Sequence, residues 1–135
     1  MKAGQICLFS LSCLFCALGC DNAETKPSLT VVHGTVTYLE RPIAGGSIVF
    51  IPDEERGTTG KPVHADIQAD GTYSLRLGER AGISPGKYRV TVASSTRQSR
   101  FGASQPPERY SDPVTSGLAC KVEPVGDHTI NFHLQ

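Results

Sequence analysis

The chain contains no tryptophan and a single methionine, and aromatic residues make up only 7% of it, so a core must be built mainly from small aliphatic side chains with a few rings between them. It has no run of five or more lysines and arginines, and its formal net charge is zero. That removes the electrostatic reason to expect nucleic acid as a partner, because phosphate binding draws on clustered positive charge. Nor is there a long stretch of Ala, Leu, Glu and Lys from which to build helices. What the chain has in quantity is glycine (14) and proline (9), the composition of a polypeptide that turns often. With 135 residues there is room for one domain and little more. The expectation is an all-β fold.

Residues 1–19 carry one charge, Lys2, followed by an apolar run from Ile6 to Gly19 that ends at Cys20 and the polar Asp21-Asn22. This is the order of a signal peptide: charged start, apolar middle, small-residue end. The run falls short of the roughly 20 apolar residues that span a bilayer, so a retained transmembrane anchor is the weaker reading. Ala17-Leu18-Gly19-Cys20 resembles the bacterial lipobox, in which the cysteine thiol accepts a diacylglyceryl group before cleavage. Leucine is commonest three residues before that cysteine, whereas here Ala17 stands there and Leu18 follows; the competing reading is an ordinary secretory signal with a chance cysteine. The expected organisation is a lipoprotein signal peptide at 1–19, a tether at 20–28 and a folded domain at 29–135. The protein would then be exported and held at a bacterial cell membrane or in the periplasm, with the membrane as partner through lipid on Cys20.

Cysteine usage agrees. Of five cysteines, Cys7, Cys13 and Cys16 lie in the removed segment and Cys20 takes the lipid, which leaves Cys120 alone in the domain. No intramolecular disulfide is available, so the core must hold the fold by itself. Cys120 lies within Leu118-Ala119-Cys120-Lys121-Val122, a strand-like segment in which a cysteine acts more often as a small buried hydrophobe than as a reactive thiol.

From Leu29 onward apolar and polar residues alternate with period two between turn signals. Val32, Gly34, Val36 and Tyr38 share one face of a first strand, and a turn is expected at Glu40-Arg41-Pro42. Ser47 to Pro52 is a continuous apolar run suited to a central strand. Val63, Ala65, Ile67 and Ala69 alternate with polar neighbours, then Asp70-Gly71, then Tyr73, Leu75 and Leu77. An Asp-Gly between two alternating runs is the strongest hairpin signal in the chain. Strands at 87–92, 117–123 and 127–134 complete a seven-stranded antiparallel, immunoglobulin-like β-sandwich, with an up-and-down barrel as the alternative and at most a turn of helix near Glu79 to Gly82.

Few residues suggest chemistry. His128 and His133 fall on opposite faces of one expected strand and cannot chelate an ion together, and neither His33 nor His64 lies in a zinc-like spacing. Asp53-Glu54-Glu55 lacks an EF-hand pattern. There is no Gly-x-Ser-x-Gly, and no metal, cofactor or catalytic residue is assigned. The segment 94–115 is out of proportion for a loop. Its Arg97, Arg100, Phe101, Arg109 and Tyr110 combine cations with aromatics, the residue types enriched at interface anchors. They are the candidate partner contacts, for a protein or a cell-wall glycan. The opposing reading is that Pro-Pro-Glu-Arg-Tyr covers an open end of the sandwich with Tyr110 packed inward.

Gly34-Thr35-Val36, Pro42-Ile43-Ala44-Gly45-Gly46-Ser47-Ile48-Val49-Phe50, Ala69-Asp70-Gly71-Thr72-Tyr73-Ser74-Leu75 and Pro85-Gly86-Lys87-Tyr88-Arg89-Val90-Thr91-Val92 together resemble the carboxypeptidase regulatory-like (transthyretin-like) domain. Pro107-Glu108-Arg109-Tyr110 and Asn131-Phe132-His133-Leu134 are similar to small lipoproteins of planctomycete bacteria. The resemblance covers residues 29–134 and rests on structural motifs. It implies a transthyretin-like sandwich serving as a non-catalytic binding or structural module on a membrane surface. One relative of that fold is an enzyme, the transthyretin-like hydroxyisourate hydrolase, which supplies the alternative function. Its C-terminal Tyr-Arg-Gly-Ser is missing here, where the sequence reads Asn131-Phe132-His133-Leu134-Gln135.

Overall fold

The computed structural model describes residues 28–95 and 105–135. The signal peptide, Cys20 and nearly all of the tether lie outside them, as do Arg97, Arg100 and Phe101. The described chain is all-β, with strands β1 (Val31–Tyr38), β2 (Arg41–Pro42), β3 (Gly46–Pro52), β4 (Val63–Ile67), β5 (Thr72–Ser74), β6 (Arg76–Leu77), β7 (Arg80–Ala81), β8 (Gly86–Ser94), β9 (Leu118–Val122), β10 (Asp127–Thr129) and β11 (Phe132–Leu134). Among the described residues two short 3-10 turns occur, at Glu54–Arg56 and Glu108–Ser111. The helical turn expected near Glu79 is replaced by a tight hairpin between β6 and β7, because Gly78 accepts a φ of 63° and so closes a two-residue loop.

The strands form a sandwich. One sheet runs β4-β3-β8-β9, antiparallel throughout. In the other, β1 is central, flanked on one side by β5 and β2 and on the other by β10 and β11. The β10 and β11 segments keep a single register along β1, from Val31↔Asp127 to Tyr38↔Leu134, and run parallel to it. This departs from the purely antiparallel arrangement expected of the sandwich.

Alternation places the core as the sequence implies. Val32 and Val36 from β1, Ile48 and Phe50 from β3, and Val90 and Val92 from β8 are buried between the sheets. Phe50 sits at the centre of the few aromatic rings, with centroids 6.0 Å from Tyr73, 6.1 Å from Tyr88 and 6.0 Å from Phe132. Two of these rings come from the opposite sheet, so the cluster ties the layers together. The apolar run of β3 proves central within its sheet, with Val49 and Ile51 only half-buried on the outer side.

The turn after β1 lies one residue earlier than expected. Thr37 pairs with Pro42 and Tyr38 with Arg41, leaving Leu39 and Glu40 as the two loop residues. Both have positive φ, 48° and 63°, as a two-residue loop matching strand twist requires. The Asp70-Gly71 turn also forms: Gly71 N–H donates to Gln68 O at 2.9 Å and Gln68 N–H to Thr72 O at 2.8 Å. Asp70 Oδ1 accepts from the Thr72 N–H and hydroxyl, which holds its carboxyl below the usual range. The strands it joins do not pair as the expected hairpin, however. β4 pairs with β3, and β5 pairs with β1, so the turn carries the chain from one sheet to the other.

Candidate functional site

That crossing opens a concavity in the side of the sandwich. Because β4 and β5 leave the turn into different sheets, each becomes an edge, and the open side of the sandwich between them is a groove of about 820 Å³. The apolar Val63 and Tyr73 line it, together with the exposed His64, Asp66, Ser74 and Arg76. Its walls also present main-chain groups that have no ladder partner among the described residues. The sequence showed the alternation of these residues but not that their strands would face each other across a gap.

His64 and Ser74 start from different sheets. His64 stands in register with Val49 on the outer side of one sheet, and Ser74 with His33 on the outer side of the other. The remaining histidines serve local contacts. His33 Nε2 lies 3.0 Å from Asp127 Oδ1, His133 Nδ1 lies 2.8 Å from Thr37 Oγ1, and His128 Nε2 lies 3.2 Å from Val125 O. Among the described residues no three His, Cys, Asp or Glu side chains come together to hold a metal ion.

Asp53, in the acidic cluster, is buried while its two neighbours are exposed. Its Oδ2 lies 3.4 Å from Arg56 Nε and 3.6 Å from Arg89 Nε, and Arg89 also pairs with Glu55. The guanidinium groups offset part of the cost of burying the carboxylate, whose Oδ1 is buried without a hydrogen-bond partner among the described residues. Cys120 projects inward opposite Tyr88. Burial pushes its thiol up to about 12, which keeps it protonated at neutral pH.

Of the candidate partner contacts, Arg109 and Tyr110 are described, the first exposed and the second buried, and both bond to the last residue of the chain. Tyr110 is buried. Its hydroxyl donates to Gln135 O at 2.8 Å and accepts from Gln135 N–H at 3.1 Å and from the Arg109 guanidinium at 2.9 Å. The donors from Gln135 and Arg109 hold the Tyr110 phenol below its ordinary range. Arg109 also donates to Gln135 O and lies 4.8 Å from the Tyr110 ring centroid. Just beyond, Ser111 Oγ donates to Val92 O at 3.3 Å and Ser116 Oγ to Val90 O at 2.7 Å. β9 pairs with β8 only from Gly86 to Val90, so these hydroxyls satisfy β8 carbonyls at and beyond the end of the ladder. In this stretch the covering reading describes Tyr110.

Set against known proteins, the chain matches no family model, no curated protein and no solved structure.

Proposed function

We propose that this chain is a lipid-anchored, non-catalytic β-sandwich, related to the carboxypeptidase regulatory-like domains, that acts as a binding or structural module at a bacterial membrane surface. The observation that carries the binding role is the groove between β4 and β5, where two strand edges without a partner among the described residues stand beside His64, Asp66, Ser74 and Arg76. Unpaired strand edges recognise an extended main chain by adding it as another strand, which favours a protein partner over a glycan. The anchoring half of the reading rests on Ala17-Leu18-Gly19-Cys20 and the apolar run before it.

The test is the mass of the N-terminal peptide of the chain recovered from membranes, with Cys20→Ala alongside. The expected result is a chain that begins at Cys20 and carries diacylglycerol, and a Cys20→Ala chain that fails to acquire lipid. A plain cleaved terminus makes this a diffusible secreted domain, and an uncleaved one makes the apolar run a retained anchor. Either result overturns the lipid anchor.

A further inference from the structure

We infer that the edge of β4, unpaired among the described residues, joins two copies of this chain, strand to antiparallel strand, with Ala65 on the twofold axis. This deepens the reading above by naming the partner, and it rests on that reading only in taking the groove as the docking surface. The argument begins with the direction of the main-chain groups. Val90 and Val92 turn their carbonyls toward Ser116 and Ser111, away from β3. Their neighbours across the ladder, Phe50 and Ile48, therefore turn their peptide groups toward β4, because groups alternate sides along a strand. It follows that Val63, Ala65 and Ile67, each opposite a residue of that set or of the same parity, spend their groups on β3. His64 and Asp66 aim theirs into the groove, where, among the described residues, Asp66 O accepts from the Gln68 side-chain amide alone, at 3.5 Å.

An edge of this kind pairs with itself when its sequence is its own complement. About Ala65 it is. His64 of one copy falls opposite Asp66 of the other, and the two exchange both main-chain hydrogen bonds while their side chains meet as an imidazole–carboxylate pair on the outer face. Val63 falls opposite Ile67 on the inner face. The arrangement is isologous, so every such contact occurs twice.

The other edges lack this match. Pairing β9 about Cys120 would set Ala119 against Lys121, whose ammonium is already 2.6 Å from Glu123 Oε1. The β10–β11 edge is broken between Thr129 and Phe132, and β5 has three residues. Lysine and proline guard natural edges against pairing, and at β4 they stand only before the strand, as Lys61-Pro62. A single strand pair makes a small interface of the transient class, so a covalent trap is the suitable readout.

In the full chain, His64→Cys and Asp66→Cys are made separately, at exposed positions that leave the core intact. Mixed and oxidised, the two chains are expected to give a reducible dimer above the background of the unsubstituted chain, while each alone gives little. Ala65→Cys alone is expected to cross-link, since residues facing each other on the axis have Cα atoms about 4.5 Å apart, inside the disulfide range. In the Ala65→Cys chain, His64→Asp should cut the cross-linked fraction roughly tenfold by opposing two carboxylate pairs, and His64→Asp with Asp66→Lys should restore it. The pairing is overturned if the mixed chains give no dimer above background, or if His64→Asp leaves the Ala65→Cys cross-link unchanged. Cross-linking without lipid on Cys20 would sink the membrane anchor and leave the pairing standing, and lipid without cross-linking would do the reverse.

Discussion

At Gly34 the link between β10 and β11 passes so close to β1 that a Cβ would lie 1.9 Å from Ile130 O. The missing side chain lets Tyr73, directly across the ladder, reach over and donate its hydroxyl to that same carbonyl at 2.6 Å. Gly34→Ala should therefore cost about 3 kcal/mol or more, since the clash is with main chain that cannot yield. Gly57→Ala, where a Cβ meets nothing within 4 Å and only the positive φ is strained, should cost about 1 kcal/mol. Urea denaturation of the two variants checks the contrast. Cys120 gives a prediction in pH. Its thiol is raised from 9.0 to about 12 by burial, so above pH 9 the unfolded chain loses a proton that the folded chain keeps. Stability is then unaffected below that point and falls as pH rises through 9 and beyond, by up to about 1.4 kcal/mol per pH unit. Tyr73 and Tyr88, also raised by burial, add to the fall at higher pH. Cys120→Ala should flatten the decline between pH 9 and 10, as read from denaturation midpoints.

At the scale of the element, the turn at Leu39-Glu40 uses residues that pay for positive φ without glycine's freedom. Replacing Glu40 by Gly, which accepts this conformation without strain, should stabilise the fold by about 1 kcal/mol, measurable as a rise in thermal midpoint. Ser116 is buried, and its hydroxyl is bonded to Val90 O. Ser116→Ala would orphan that carbonyl at a cost of about 1–3 kcal/mol in the same assay. These features also mark where the sequence stopped being readable. Val32, Val36, Ile48 and Phe50 announced their burial through alternation, and Asp70-Gly71 announced a turn through its chemistry. Whether the strands around that turn pair with each other or part into two sheets leaves the same alternation in both cases, so the groove was invisible. Leu39-Glu40 carries no turn signal at all, and the neighbouring Arg41-Pro42 drew attention one residue too far. Tyr110 could be read equally as an anchor or a cover until its partner, Gln135 at a distance of 25 residues, was known.

For the molecule as a whole, the two sheets share one core without a disulfide among the described residues, and Phe50 is the residue most of that core's rings touch. Phe50→Ala should cost about 3–5 kcal/mol, a large part of the roughly 5–15 kcal/mol available to a domain of this size. Val114→Ala, at an exposed site, should stay within about 0.5 kcal/mol; circular dichroism melts separate the two. The pairing of β1 with β10 and β11 has a mechanical consequence. The strands are parallel, with Val31 beside Asp127 and Tyr38 beside Leu134, so a pull applied between Thr30 and Gln135 slides one strand along the other. The load falls on all the bonds of the ladder at once instead of opening them singly from one end, which gives the domain the resistance of a lap joint along that axis of force.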